Sequence, residues 1–199
     1  MLHALLRAAV TAALLVVPAN VLADGKAWRV DLWPVDGVEG ATGDREEGAD
    51  GAFWIAAAEY DNPTGGWTPF VQRLSPSGAL SRWRLDAAPR SFFPAAVRRH
   101  AATGRVTVLV PLTAERRALV YVLDPAAGTA TRSEVPFFAR SLRLDPADGS
   151  AWLVGEGVVG RLADGTLRTF PLDGVVEGAN RFDASRRLWL RTEGGLLLS

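Results

Sequence analysis

The chain has 199 residues, 22 basic and 22 acidic side chains, no cysteine, and 48% hydrophobic residues including seven tryptophans. A charge balance of zero gives no basis for nucleic-acid or anionic-membrane binding. The lack of cysteine excludes disulfides, thiolate metal sites, a cysteine nucleophile and a cysteine-linked lipid anchor.

Residues 1–23 have the layout of a signal peptide. Arg7 supplies a positive n-region, and "AAVTAALLVV" (8–17) is an apolar run too short to span a bilayer. Pro18 ends the run, and Val21 and Ala23 suit the −3 and −1 sites, so cleavage is expected after Ala23. The alternative is an uncleaved N-terminal anchor. The product, 24–199, is expected to be a single periplasmic or secreted domain with one net negative charge and no membrane span.

Next comes "KAWRVDLW" (26–33), an alternating strand pattern introduced by "LADG". The acidic stretch "DGVEGATGDREEGADG" (36–51) is expected to be a solvated linker, without the regular ligand spacing of a calcium loop.

From residue 45 onward one layout recurs four times: 45–85, 98–135, 143–172 and 181–199. A first strand ends in a polar turn within 47–51, 100–104, 145–149 or 183–187. A second strand follows, usually with an aromatic residue: "AFWIAA", "RVTVLV", "AWLVG", "RLWLRT". After a loop come a third strand, a glycine-containing turn, and an alternating fourth strand such as "TLRTFPL". Four antiparallel strands per copy is the unit of a β-propeller blade. The chain is therefore expected to be all-β, a four-bladed propeller, with a fragment of a larger ring as the alternative. The last copy stops after its third strand, so 26–33 is expected to supply the fourth and close the ring.

The segment "DPADGSAWLVGEGVVGRLADGTLRTFPL" resembles the repeat of the virginiamycin B lyase (streptogramin lyase) family, with its D-G-x-x-W, G-x-x-x-R-L and D-G-x-x-x-x-F-x-L layout. "RRLWLRTEGGLLLS" is similar also to the periplasmic sensor propellers of two-component regulators. These likenesses imply a propeller blade shared by binding and catalytic proteins alike. The lyase chemistry would imply a divalent cation held by histidine and glutamate near the central face. Beyond the leader the only histidine is His100, in a first-to-second-strand turn at the end opposite the usual ligand loops. No catalytic residue is carried over.

The loops between second and third strands each hold a glutamate: Glu59, Glu115, Glu156 and Glu193. Clustered at an axis, they could bind a divalent cation or polarise a substrate proton; otherwise they are four diverging solvated residues. The longest such loop adds Tyr60, Asp61, Asn62 and Trp67 beside Gly65 and Gly66, groups suited to a small ligand or a protein partner. Arginine recurs two residues before the first turn, as Arg45, Arg98, Arg143 and Arg181. That column either lines an anion channel or packs between blades in ion pairs. "GEGVVG" (155–160) fits G-x-G-x-x-G but precedes a strand rather than the helix a dinucleotide site needs. The functional expectation is an exported ligand-binding or protein-interaction module. The alternatives are a metal-dependent lyase of the streptogramin type and a periplasmic sensor or assembly scaffold.

Overall fold

The structure, a computed structural model, describes residues 40–61, 66–85, 96–172, 181–192 and 195–198. All of them belong to one unit, Gly37–Ser199. The expected leader, its cleavage site and the closing strand at 26–33 lie outside the described residues.

Strands dominate, and the only helical element among the described residues is one 3-10 turn, Thr113–Glu115. The first sheet contains β1 (Gly40–Glu47), β2 (Phe53–Asp61), β3 (Gly66–Leu74) and β4 (Leu80–Arg84). The second contains β5 (Ala96–Arg99), β6 (Val106–Leu112), β7 (Arg117–Asp124) and β8 (Thr129–Val135). The third contains β9 (Ala139–Leu144), β10 (Ala151–Gly155), β11 (Val158–Ala163) and β12 (Thr166–Pro171). The fourth contains β13 (Arg181–Phe182), β14 (Leu188–Thr192) and β15 (Gly195–Leu198). Each sheet pairs its strands antiparallel in chain order, a propeller-like arrangement that follows the four copies in the sequence.

Burial explains the patterns. β6 is buried along nearly its whole length, because its two faces pack on different neighbours. Val106, Val108 and Val110 join Trp54, Val71 and Leu85 of the first sheet, while Leu109 joins Leu142 and Leu153 of the third. A third cluster ties Val154 and Val159 to Leu188 and Leu190 of the fourth. Consecutive sheets thus share cores, and each fully buried leucine contributes about 1.5–3 kcal/mol of transfer energy. Outer strands β4, β8 and β12 are mostly exposed, which accounts for their Arg, Ser and Thr content. The turns after β1, β5 and β9 place Gly51, Gly104 and Gly149 at φ values of 71°, 71° and 74°, where a Cβ is disfavoured. In the corresponding turn of the fourth sheet Arg186 takes that left-handed position at φ 63°.

Two expectations are corrected. The acidic stretch is not a linker throughout, because residues 40–47 form β1, paired with β2 from Gly40↔Glu59 to Glu47↔Phe53. Its acids are fixed by specific partners, described below. The long loop after the second strand is instead a strand extension, with Glu59↔Thr68, Tyr60↔Trp67 and Asp61↔Gly66 in register.

Candidate functional site

Three of the four loop glutamates fall on described residues, and each has its own surroundings. Glu59 Oε2 accepts from Arg82 at 2.5 Å and from Arg84 at 3.1 Å, both on outer strand β4. Arg82 also lies 3.8 Å above the Phe70 ring, so Glu59 leans outward across its own sheet. Glu115 pairs with Arg117, which reaches Glu134 of outer strand β8 at 2.7 Å. Glu156 stands exposed in the tight turn of the β10–β11 hairpin, where "GEGVVG" makes a strand reversal. The side chains of Tyr60, Asp61 and Glu193 lie outside the described residues, and Trp67 is half-buried on β3. Among the described residues, no three His, Asp or Glu side chains converge as a metal site would require.

The arginine column is partly resolved into ion pairs. Arg98 on β5 pairs with Asp44 of β1 and lies 3.7 Å from Glu46. Asp44 also accepts the Val97 N–H at 3.2 Å, and Glu46 the Arg99 N–H at 3.0 Å. Two carboxylates from β1 therefore occupy backbone donors on the open edge of β5. Arg143, on the neighbouring β9, is held below the usual guanidinium range, first by burial and then by the nearby Arg98 charge. Arg45 and Arg181 are exposed. The acids of β1 were missed because they sit in a stretch that looks solvated, yet Asp44 and Glu46 are two apart and so share one face.

A second pattern sets up a groove between the second and third sheets. In the first sheet the turn residue Asp50 binds Arg73 at 2.8 Å, and Arg73 lies 5.9 Å from the Trp54 ring. In the third sheet Asp148 binds Arg161 at 2.6 Å, with Arg161 5.9 Å from Trp152. Both carboxyls are held below the ordinary carboxylate range. For Asp50 the leading cause is the Arg73 hydrogen bond, and for Asp148 it is the Ser150 N–H. This is the physical content of the D-G-x-x-W and R-L elements. Each tryptophan closes the space toward the following sheet, Trp54 against the second and Trp152 against the fourth.

The second sheet lacks all three groups. Turn alignment puts Thr103 in place of the aspartate, Thr107 in place of the tryptophan, and Val122 in place of the arginine, since Thr107↔Val122 matches Trp54↔Arg73 and Trp152↔Arg161. The result is a groove of about 730 Å³ between the second and third sheets. That volume lies within the range of small-molecule sites, roughly 300–1,000 Å³. One wall carries Thr107, Val122, Thr131, Ser133 and Arg105; the other carries Ala151, Leu162 and the Asp164–Gly165 turn. Register places Thr107, Val122 and Thr131 in one cross-strand row, so their side chains share the face toward the third sheet. Arg132 borders the groove, but it pairs with Tyr121, whose side chain belongs to the opposite core.

His100 fixes one end of the groove. Its Nε2 lies 3.2 Å from the Pro146 carbonyl oxygen, which can only accept, so Nε2 donates. In the neutral ring Nδ1 then accepts from the Thr103 hydroxyl at 3.0 Å. The imidazole, 5% exposed, ties the turn of one sheet to the turn of the next. Asp145 and Arg186 do the same between the third and fourth sheets at 3.1 Å. Thr107 is different. It is only 3% exposed and lines the groove, but its hydroxyl is not a sealed orphan: among the described residues the buried side-chain polar atoms without a partner are the Trp54 and Trp152 indole nitrogens. Comparing the copies at the tryptophan position would have flagged Thr107 in sequence; the adjoining cavity could not be seen there.

No protein-family model matches the chain, and no curated protein matches it. Among solved structures, the chain is similar to the extracellular domain of a putative hybrid two-component system from B. thetaiotaomicron. That similarity has a TM-score of 0.26 and 9% identity, over 79% of this chain and 32% of the other. This chain thus spans about a third of the length of that one. Among the described residues no helix is long and apolar enough to cross a membrane.

Proposed function

We propose that this chain is an exported, propeller-like binding module that holds a small polar ligand in the groove between its second and third sheets. The observation that carries the reading is Thr107, which lines a groove of about 730 Å³ at the position where the first and third copies of the repeat place a tryptophan. Threonine at that position leaves a polar, hydrogen-bonding surface instead of a closed apolar seam. Export is supported by Arg7, the apolar run at 8–17 and the small residues before Asp24.

Saturation-transfer NMR on the full chain with galactose, galacturonate, glycine betaine and inorganic phosphate tests the site. At least one probe is expected to bind the parent and to be lost in Thr107→Trp, which refills the groove as Trp54 and Trp152 fill theirs. Binding that is indifferent to Thr107→Trp, or no binding by any probe, would refute the reading.

A second reading concerns the β2–β3 arm. Its strands run nine residues each, against five and six for β10 and β11, so Glu59, Tyr60, Asp61 and Trp67 stand on an extension that a protein partner could grip. Loss of a co-purifying partner on deleting 60–67, with the groove intact, would favour this contact.

A further inference from the structure

We infer that the groove's occupant is a hydroxylated monocarboxylate of the sugar-acid class, its carboxylate on Arg105 and its hydroxyls on the Thr107, Thr131 and Ser133 row. The inference rests on the groove being the ligand site.

Charge on the two walls selects the anion. Arg105 lines the groove, is exposed, and has no acidic partner among the described residues. On the facing wall Asp148 is already held by Arg161 and by the Ser150 N–H at 2.8 Å. Asp164 lies in the exposed turn at the rim. The Arg105 guanidinium suits one negative charge, and its planar fork matches a carboxylate with two parallel hydrogen bonds. A phosphate dianion would bring a second negative charge toward the rim aspartate, so it is disfavoured.

The wall chemistry selects the remainder of the molecule. Thr107, Thr131 and Ser133 each present a hydroxyl without a protein partner among the described residues. A hydroxyl both donates and accepts, so three in a patch match a ligand whose groups do both, as sugar hydroxyls do. Val122 sits within the row and Leu162 faces it, giving an apolar strip for the C–H face of a ring. The site is also far larger than a bare inorganic anion would need.

Titration calorimetry with galacturonate, galactose and inorganic phosphate separates the parts. Galacturonate is expected to bind at least about tenfold more tightly than galactose, the difference a charge-assisted pair supplies. Arg105→Gln should remove that advantage while leaving galactose affinity unchanged. Thr107→Val, a near-isosteric loss of one hydroxyl, should weaken both sugars several-fold. Equal affinity for galactose and galacturonate, or an unaltered galacturonate affinity in Arg105→Gln, would overturn the carboxylate assignment and leave the groove reading standing. Phosphate binding as tightly as galacturonate would overturn the sugar part. If Thr107→Trp changes none of these affinities, the groove reading itself fails. Thermal melts of each variant show that the fold is retained.

Discussion

Replacing Asp44 with alanine tests whether the acids of β1 hold the first two sheets together. The carboxylate accepts the Val97 N–H, on a residue with no solvent exposure, and pairs with Arg98, whose side chain is 23% exposed. Leaving that buried N–H without an acceptor costs about 1–3 kcal/mol. Losing the shielded ion pair adds about 1 kcal/mol, since Glu46 remains 3.7 Å from Arg98 and retains part of the attraction. The total is about 2–4 kcal/mol, or roughly 5–15 °C in melting temperature for a domain of this size. Asp44→Asn keeps an acceptor oxygen and removes the charge, so it should fall between parent and Asp44→Ala. Glu134→Ala is the control. It deletes the same charge from a pair whose side chains are 36% and 55% exposed, and should cost no more than about 1 kcal/mol. Urea melts at neutral pH measure all three. If Asp44→Ala lies within about 0.5 kcal/mol of Glu134→Ala, the edge-binding role assigned to these acids is wrong.

Acid should act on the fourth sheet through Asp183. The Arg187 N–H, then the Trp189 indole N–H and the Arg187 side chain, lower its carboxyl from 3.8 to about 2. A lowered folded-state value stabilises above the unfolded one, so this contribution is full above about pH 4 and vanishes as pH falls through about 2. The stability gap between parent and Asp183→Asn should therefore close over that interval; a gap of constant size from pH 6 to pH 2 would contradict the assignment. Glycine substitutions should divide sharply by surroundings. Gly155→Ala places a Cβ 2.7 Å from both the Phe137 ring and the Phe138 carbonyl oxygen, an overlap that costs about 1–3 kcal/mol. Gly165→Ala meets nothing within 4 Å and bears only its φ of +76°, about 1 kcal/mol. Equal melts for the two would show that packing at Phe137 is looser than described.

The strands were legible because their signals are local. Glycine and aspartate mark the reversals at 145–149 and 164–165, and alternation marks "TLRTFPL". Errors arose where local composition pointed away from tertiary pairing. The acids at 44 and 46 suggested solvent, but their partners are backbone donors more than 50 residues away. Asn62, Pro63, Gly65 and Gly66 suggested a long loop, although the ladder continues to Asp61↔Gly66. The loop glutamates share a position in the repeat but not a set of partners. Glu59 is held by Arg82 and Arg84 on outer strand β4, and Glu115 by Arg117 at the start of β7, pairings that no periodicity specifies. The groove was less visible still, because it comes from a side chain that one copy lacks.

That missing side chain has an evolutionary consequence. A repeat array carries spare copies of every interface, so one copy can surrender its tryptophan while its neighbours keep the chain folded. A recess then arises without any new backbone. Its shape matches the indole that the other copies place there, and its chemistry is set by whichever small residue stands in that indole's position. The same exchange at Trp54 and Arg73 would be expected to excavate a sister recess between the first and second sheets. Diversification in such a protein can proceed by subtraction, one seam at a time.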